Sequence, residues 1–337
     1  MASPERNRGR LALVSGETHP QLAQDIANYL ETTLGPIDFK TFANSEEYVR
    51  YEESVRGSEV FVIQSHAAIN GKSVNDSIFQ QRLLIDAARR GSAKEITAVA
   101  PYLAYLRQDR KARGREPISA AVTMQDLVRT GADRLMSVEI HTQQAQGFIS
   151  EPFDPLTARY VLTDWIKNWM QEKELTPSEV TVVSPDAGRA GLVQQFAHDL
   201  GVGLAVIDKR HSVEVANHVD IVAILGEVAG RHCVIIDDMI DTGGTLVKSG
   251  EAIKTEHAAS VTAMATHAIL SSPAYERLTD SAIDKVVVTD TLPTEHHKEA
   301  LGDQLEVVSV APPIAAAIKE VYEKGSVSNI FKGQNYS

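Results

Sequence analysis

The sequence has a single cysteine, no apolar run of transmembrane length and a shortage of positive charge. One cysteine excludes an internal disulfide and fits a reducing cytosol, so a cytoplasmic location is expected. Cys233 precedes Val234, Ile235 and Ile236 and reads as a small apolar residue of a strand. No secretory leader and no membrane-spanning segment is legible, so no membrane partner is expected. The 33 Lys and Arg are outnumbered by 45 Asp and Glu, and the net charge of −12 argues against nucleic acid as a partner. Anionic substrates stay open if a metal or a local basic cluster accompanies them. There is no GK[ST] signature, which excludes the nucleotide P-loop. No low-complexity stretch and no obvious internal repeat interrupts the chain.

What is present is ordinary globular material. Hydrophobic residues make up 43% and charged residues 23%, and a length of 337 implies about two domains. Strands are expected at 10–15, 38–42, 59–64, 96–100 and 135–140, with helices after Thr18-Pro20, at about 76–90 and at 119–130. A second series begins with a helix at about 155–172. It continues with strands ending at Val183 and covering 205–208, 222–226, 233–236, 262–268, 285–289 and 306–310, then a helix at about 312–324. Strands alternating with helices predict an α/β chain of two similar domains, 10–155 and 156–331, each a mostly parallel sheet flanked by helices. Residues 1–9 are polar and basic and read as disordered.

The most informative stretch is CVIIDDMIDTGGT, from Cys233 to Thr245. A β-branched run gives a strand buried on both faces. Asp237 and Asp238 follow at its end, where ligands of open α/β sheets bind. Asp241, Thr242, Gly243, Gly244 and Thr245 then lead into a helix. A helix start offers unpaired N–H groups and a positive dipole end, which suits a phosphate. Carboxylates beside it would repel a bare phosphate. They fit sugar hydroxyls, or a metal that offsets their charge, so the stretch suits a sugar phosphate. The bland alternative is a strand-to-helix turn capped by an aspartate. The stretch resembles the PRPP-binding loop of the type I phosphoribosyltransferase fold. That resemblance implies acidic residues on the ribose hydroxyls and loop amides on the 5-phosphate.

Other strand ends carry further motifs. PYLAYLRQDR, 101–110, begins a basic cluster of Arg107, Arg110, Lys111 and Arg113 in an acidic protein. YLRQDRKARGREPIS resembles the nucleotide-binding segment of the ribose-phosphate pyrophosphokinases. The resemblance implies that Arg107 and Gln108, with Asp109, grip ATP. It also implies that His141, in IHTQQAQGF, and Asp186, in SPDAGR, serve Mg²⁺ or the phosphates of MgATP. Phe42, Asn44 and Glu46 of FANSE match a segment that contacts adenine from a neighbouring subunit. VRG at 55–57 and SVSNIF at 326–331 resemble regulatory and interface regions. IDKRHS, 207–212, is expected to be a polar loop after a strand, and it matches the family's mobile catalytic loop. There the family carries a Lys and an Arg two residues on, whereas this chain has Lys209, Arg210 and His211. Either Arg210 takes over, or His211 supplies a weaker, pH-dependent charge.

The likeness covers about residues 10 to 331. It implies transfer of the β,γ-diphosphoryl group of ATP to the anomeric hydroxyl of ribose 5-phosphate, with Mg²⁺, in a homo-oligomer that is hexameric by resemblance. No covalent nucleophile or general base stands out. A phosphoribosyltransferase, or a catalytically weak or silent regulatory member of the same family, are the alternatives.

Overall fold

The structure is a computed structural model that describes residues 9–211, 219–331 and 333. Most of the stretch 1–9 and Ser212 of the expected catalytic loop lie outside the described residues. The chain forms two compact units, each with its own sheet.

In the first unit the order is β1 (Leu11–Ser15), α1 (Pro20–Tyr29), β2 (Ile37–Thr41), β3 (Glu47–Tyr51), β4 (Glu59–Ile63), α2 (Val74–Arg90), β5 (Glu95–Ala100), α3 (Ser119–Thr130), β6 (Arg134–Val138) and β7 (Phe153–Leu156). Five strands form a wholly parallel sheet in the order β1-β4-β5-β6-β7. Its core is packed from Val60, Val62, Ile96, Ala98 and Leu135, with Leu84 and Met124 from the covering helices. Helix α2 shows why these boundaries hold. Ser73 and Asp76 form a reciprocal capping box at its start, and Arg89 and Arg90 meet the negative dipole end at its finish.

The second unit holds α4 (Arg159–Glu172), β8 (Val180–Ser184), α5 (Ala190–Leu200), β9 (Gly203–His211), β10 (Val219–Leu225), β11 (His232–Ile240), α6 (Gly244–Thr255), β12 (Ser260–Ala268), α7 (Ala274–Thr279), β13 (Lys285–Thr289), α8 (Glu295–Leu301) and β14 (Leu305–Val308). Its seven strands run in the order β10-β9-β8-β11-β12-β13-β14. All neighbours are parallel except β9 and β10. Cys233 lies at 0% exposure among Val183, Ile235, Val261 and Ala263, and burial pushes its thiol up to about 12. It is a core residue, as its neighbours in sequence suggested.

Four features differ from the expectations. The second domain does not take all of 156–331, because Thr291–Pro293 and residues 310–331 belong to the first unit. The cause is α9 (Ala311–Tyr322), followed by α10 (Val327–Ile330). Helix α9 buries Ile314, Ala317 and Ile318 and packs on α1 and β7. The FANSE segment is the tip of a β2–β3 hairpin, a small antiparallel sheet of its own. Residues 153–156 are strand β7, where the start of a helix was expected. Finally, Lys209, Arg210 and His211 do not begin a loop: β9 runs through His211, paired with Ile221, Asp220 and Val219 of antiparallel β10. The ladder satisfies this polar stretch's backbone, and backbone pairing leaves no hydrophobic signature in sequence.

Candidate active site

In the second unit the acidic pair sits within β11. Pairing with β12 continues past it, as far as Ile240 opposite Ala268. Asp238 is 2% exposed and Asp237 half-buried. The loop that follows β8 reaches the same place. Arg189 Nη2 lies 2.6 Å from Asp238 Oδ2, and its Nε lies 3.4 Å from Asp237 Oδ1. Asp186, in the same loop, accepts from the Arg189 backbone N–H at 3.1 Å, and Ser184 Oγ donates to the Asp186 carbonyl at 2.6 Å. The structure thus brings Asp186, Asp237 and Asp238 around one arginine. The Asp237 carboxyl is held well above the usual carboxylate range, first by burial and then by the charge of Asp238, with Arg189 pulling the other way. Two adjacent carboxylates with little water and one cation favour any ligand that adds hydrogen-bond donors or positive charge.

Beyond β11 the chain turns through Asp241 and Thr242 to Gly243, which caps α6 with φ of 71°. That left-handed conformation is costly for a residue with a Cβ. No side chain caps this helix. The N–H groups of Gly244, Thr245 and Leu246 precede the first intrahelical bond, which Val247 N–H donates to the Gly243 carbonyl at 2.9 Å, so the end is suited to an anion.

The first unit carries the other set. His66 is fully buried, and its ring aligns the segment after β5. Nδ1 accepts from the Ala104 N–H at 3.2 Å, so Nε2 carries the proton and donates to Gln81 Oε1 at 2.8 Å. Gln81 in turn donates to the Val62 and Val99 carbonyls of β4 and β5. Burial pushes His66 down to about 4, which keeps it neutral in this role. Leu103 and Leu106 enter the core, Tyr105 takes φ of 67°, and Arg107 and Gln108 are left exposed, with Asp109 half-buried. Gln108 is held by Ser119 Oγ at 2.7 Å and by the Ala120 N–H at 3.3 Å. His141 is half-buried, three residues past β6, which stops at Val138 rather than at residue 140. There Glu139 turns to φ of 42° and accepts from Thr157 Oγ1 at 3.0 Å. At the hairpin tip, Phe42 is 52% exposed and Asn44 Oδ1 accepts from the Glu46 N–H at 3.3 Å.

The comparisons with known proteins decide what kind of enzyme carries these sites. One family model, the N-terminal domain of ribose phosphate pyrophosphokinase, matches residues 11–131, and another, the phosphoribosyl synthetase-associated domain, matches residues 209–332. A ribose-phosphate pyrophosphokinase of Corynebacterium efficiens is 45% identical over 330 residues, covering 98% of each chain. The chain belongs to the ribose-phosphate pyrophosphokinase family. A family member from Mycobacterium leprae is 44% identical over 97% of both chains. The crystal structure of phosphoribosylpyrophosphate synthetase from Mycobacterium smegmatis superimposes with a TM-score of 0.84 at 40% identity, covering 94% of this chain and all of that one.

Among the described residues no cluster of three or more His, Cys, Asp and Glu could hold a metal ion alone. A Mg²⁺ site does not require such a cluster. Magnesium keeps waters and takes one or two carboxylates plus substrate phosphates, rather than a protein cage. Asp186, half-buried at a strand end, is a donor of that kind. Three residues that shape these sites escaped the sequence reading: Arg189, His66 and Arg277. Arg189 lay inside a quoted motif. The only signal for it was a lone cation at a strand end, in a fold whose neighbouring strand end carries two carboxylates.

Proposed function

We propose that this chain transfers the β,γ-diphosphoryl group of MgATP to the anomeric hydroxyl of ribose 5-phosphate, giving PRPP and AMP. The observation that carries this reading is the cradle in the second unit. Two carboxylates near the carboxyl end of β11, within its pairing to β12, precede an uncapped helix start that opens at a left-handed glycine. Asp237 and Asp238 accept from the ribose hydroxyls, and the backbone amides of Asp241, Thr242, Gly243, Gly244 and Thr245 hold the 5-phosphate. Phe42, Asn44, Glu46, Arg107, Gln108 and Asp109 take the nucleotide.

Catalysis is positioning plus electrostatic stabilisation, with no covalent intermediate on the protein. Asp186 would help hold Mg²⁺, His141 would serve Mg²⁺ or the phosphates of MgATP, and the ion would supply positive charge to the transferring group. Lys209 and either Arg210 or His211 add charge there. The likeness to the family further supports a cytoplasmic homo-oligomer, hexameric, in which the FANSE hairpin of one subunit meets adenine in the next. A fully active monomer in sedimentation would contradict that assembly.

The decisive experiment measures AMP formation from ATP and ribose 5-phosphate, with Mg²⁺ and with excess EDTA. The expected result is turnover that needs both substrates and stops on chelation. PRPP consumption with a free base and no AMP formation would make this a phosphoribosyltransferase instead. No turnover with intact ligand binding would make it a regulatory member.

A further inference from the structure

Gly243 and Gly244 are glycines for different reasons. Gly243 needs no Cβ because its φ is 71°. Gly244 opens α6 with no such backbone demand, but a Cβ there would lie 3.1 Å from Arg277 Nη1. Arg277 uses that space to donate from Nη1 to the Thr242 carbonyl at 2.9 Å. Its helix, α7, is fixed from below. Ala274 and Leu278 are fully buried, and Tyr275 Oη donates to His297 Nδ1 at 2.7 Å, whose Nε2 donates to the Ala268 carbonyl at 3.1 Å.

A trans peptide is planar, with its C=O and N–H pointing in opposite directions. Holding the Thr242 carbonyl toward α7 therefore turns the Gly243 N–H to the other side of the loop. We propose that Arg277 is a positioning residue of the sugar-phosphate cradle. It sets the Thr242–Gly243 peptide so that the Gly243 amide faces the phosphate, and Gly244 lacks a side chain so that the guanidinium can reach. The guanidinium also places a permanent positive charge behind the loop, in favour of an anion. This inference rests on reading residues 241–245 as the 5-phosphate site.

The test is steady-state kinetics of the full chain with Arg277→Ala, Arg277→Lys, Gly244→Ala and the double variant, each with a thermal midpoint. Arg277→Ala should raise KM for ribose 5-phosphate about tenfold, the scale of one lost hydrogen bond to a charged group, and leave KM for MgATP unchanged. Arg277→Lys should recover part of the loss, because an ammonium can still donate to the carbonyl. Gly244→Ala should raise the same KM in the original background and add nothing once Arg277 is Ala. An unchanged KM for ribose 5-phosphate in Arg277→Ala would overturn the proposal. So would additive effects of the two substitutions, or a loss confined to the thermal midpoint. If the unsubstituted protein neither binds nor turns over ribose 5-phosphate, the reading of the loop fails before the role of Arg277 is at issue.

Discussion

Replacing Arg189 with Met should destabilise the ligand-free protein at alkaline pH and spare it at acid pH. Methionine keeps much of the aliphatic stem and removes the charge. Asp238, 2% exposed, then loses a partner at 2.6 Å, and Asp237 loses one at 3.4 Å. Removing one member of a buried ion pair costs about 3–5 kcal/mol. Asp237 retains some contact with water, so the lower end, about 3 kcal/mol, is expected here. That is a fall of roughly 10 °C in the thermal midpoint for a unit of this size. The sign with pH follows from linkage. Asp237 already binds its proton more tightly in the folded protein than in the unfolded chain, through burial and the charge of Asp238, and Arg189 opposes this. Without Arg189 the folded-state value rises further. A carboxylate raised in this way costs nothing below its unfolded pKa of about 4; its penalty grows between that value and the folded one and is constant above it. Asp237 of the original keeps its proton up to about pH 8, so the gap between variant and original should be small at about pH 5–7 and open between about pH 8 and 10. Calorimetric midpoints across that range measure it. A gap of equal size at both ends, or no gap, would refute the electrostatic argument. Asp238→Asn added to Arg189→Met should recover stability at high pH, because it removes the stranded charge.

Asp238→Ala should weaken ribose 5-phosphate binding while the far-ultraviolet circular dichroism stays unchanged; unaltered affinity for that ligand would remove the acidic pair from the sugar site. His66→Ala deletes the acceptor for the Ala104 N–H and leaves Gln81 without its ring partner, so KM for ATP should rise while KM for ribose 5-phosphate holds; equal changes in both would point to general destabilisation. His211→Arg should flatten any fall in turnover as pH rises, because the guanidinium stays charged where an imidazole loses its proton; superimposable pH profiles would assign the catalytic charge to Arg210 alone.

The elements legible in the sequence are those whose burial writes itself into composition. The run Val234–Ile236, the strand at 262–268 and the helix at 119–130 bury apolar side chains in a continuous sheet or against it, so their patterns name them. The missed strands are short, and only a few of their side chains meet a core, so they leave too little apolar pattern to name them. Strand β3 pairs only with β2 in a two-stranded ribbon, and only Val49 and Tyr51 of it turn to the core, two positions that do not make a strand pattern. The extension of β9 through Lys209, Arg210 and His211 depends on β10 lying alongside. Hydrogen bonds of a ladder place no demand on side-chain polarity, so such strands read as loops.

The sites divide along a similar line. Asp237 to Thr245 is one local stretch, and a buried strand, an acidic pair and a helix start follow one another within it, so its chemistry can be read without knowing the fold. What makes that chemistry work comes from elsewhere in the chain. Arg189 reaches the acidic pair from the end of the adjacent strand β8. Arg277 reaches the Thr242 carbonyl across 35 residues. The glycine doublet records both kinds of constraint. Gly243 answers to its own backbone and could be inferred from the turn alone. Gly244 answers to a side chain from another helix: a methyl group there would come within 3.1 Å of Arg277 Nη1 and push the guanidinium, a constraint set only by the placement of α7 beside the loop.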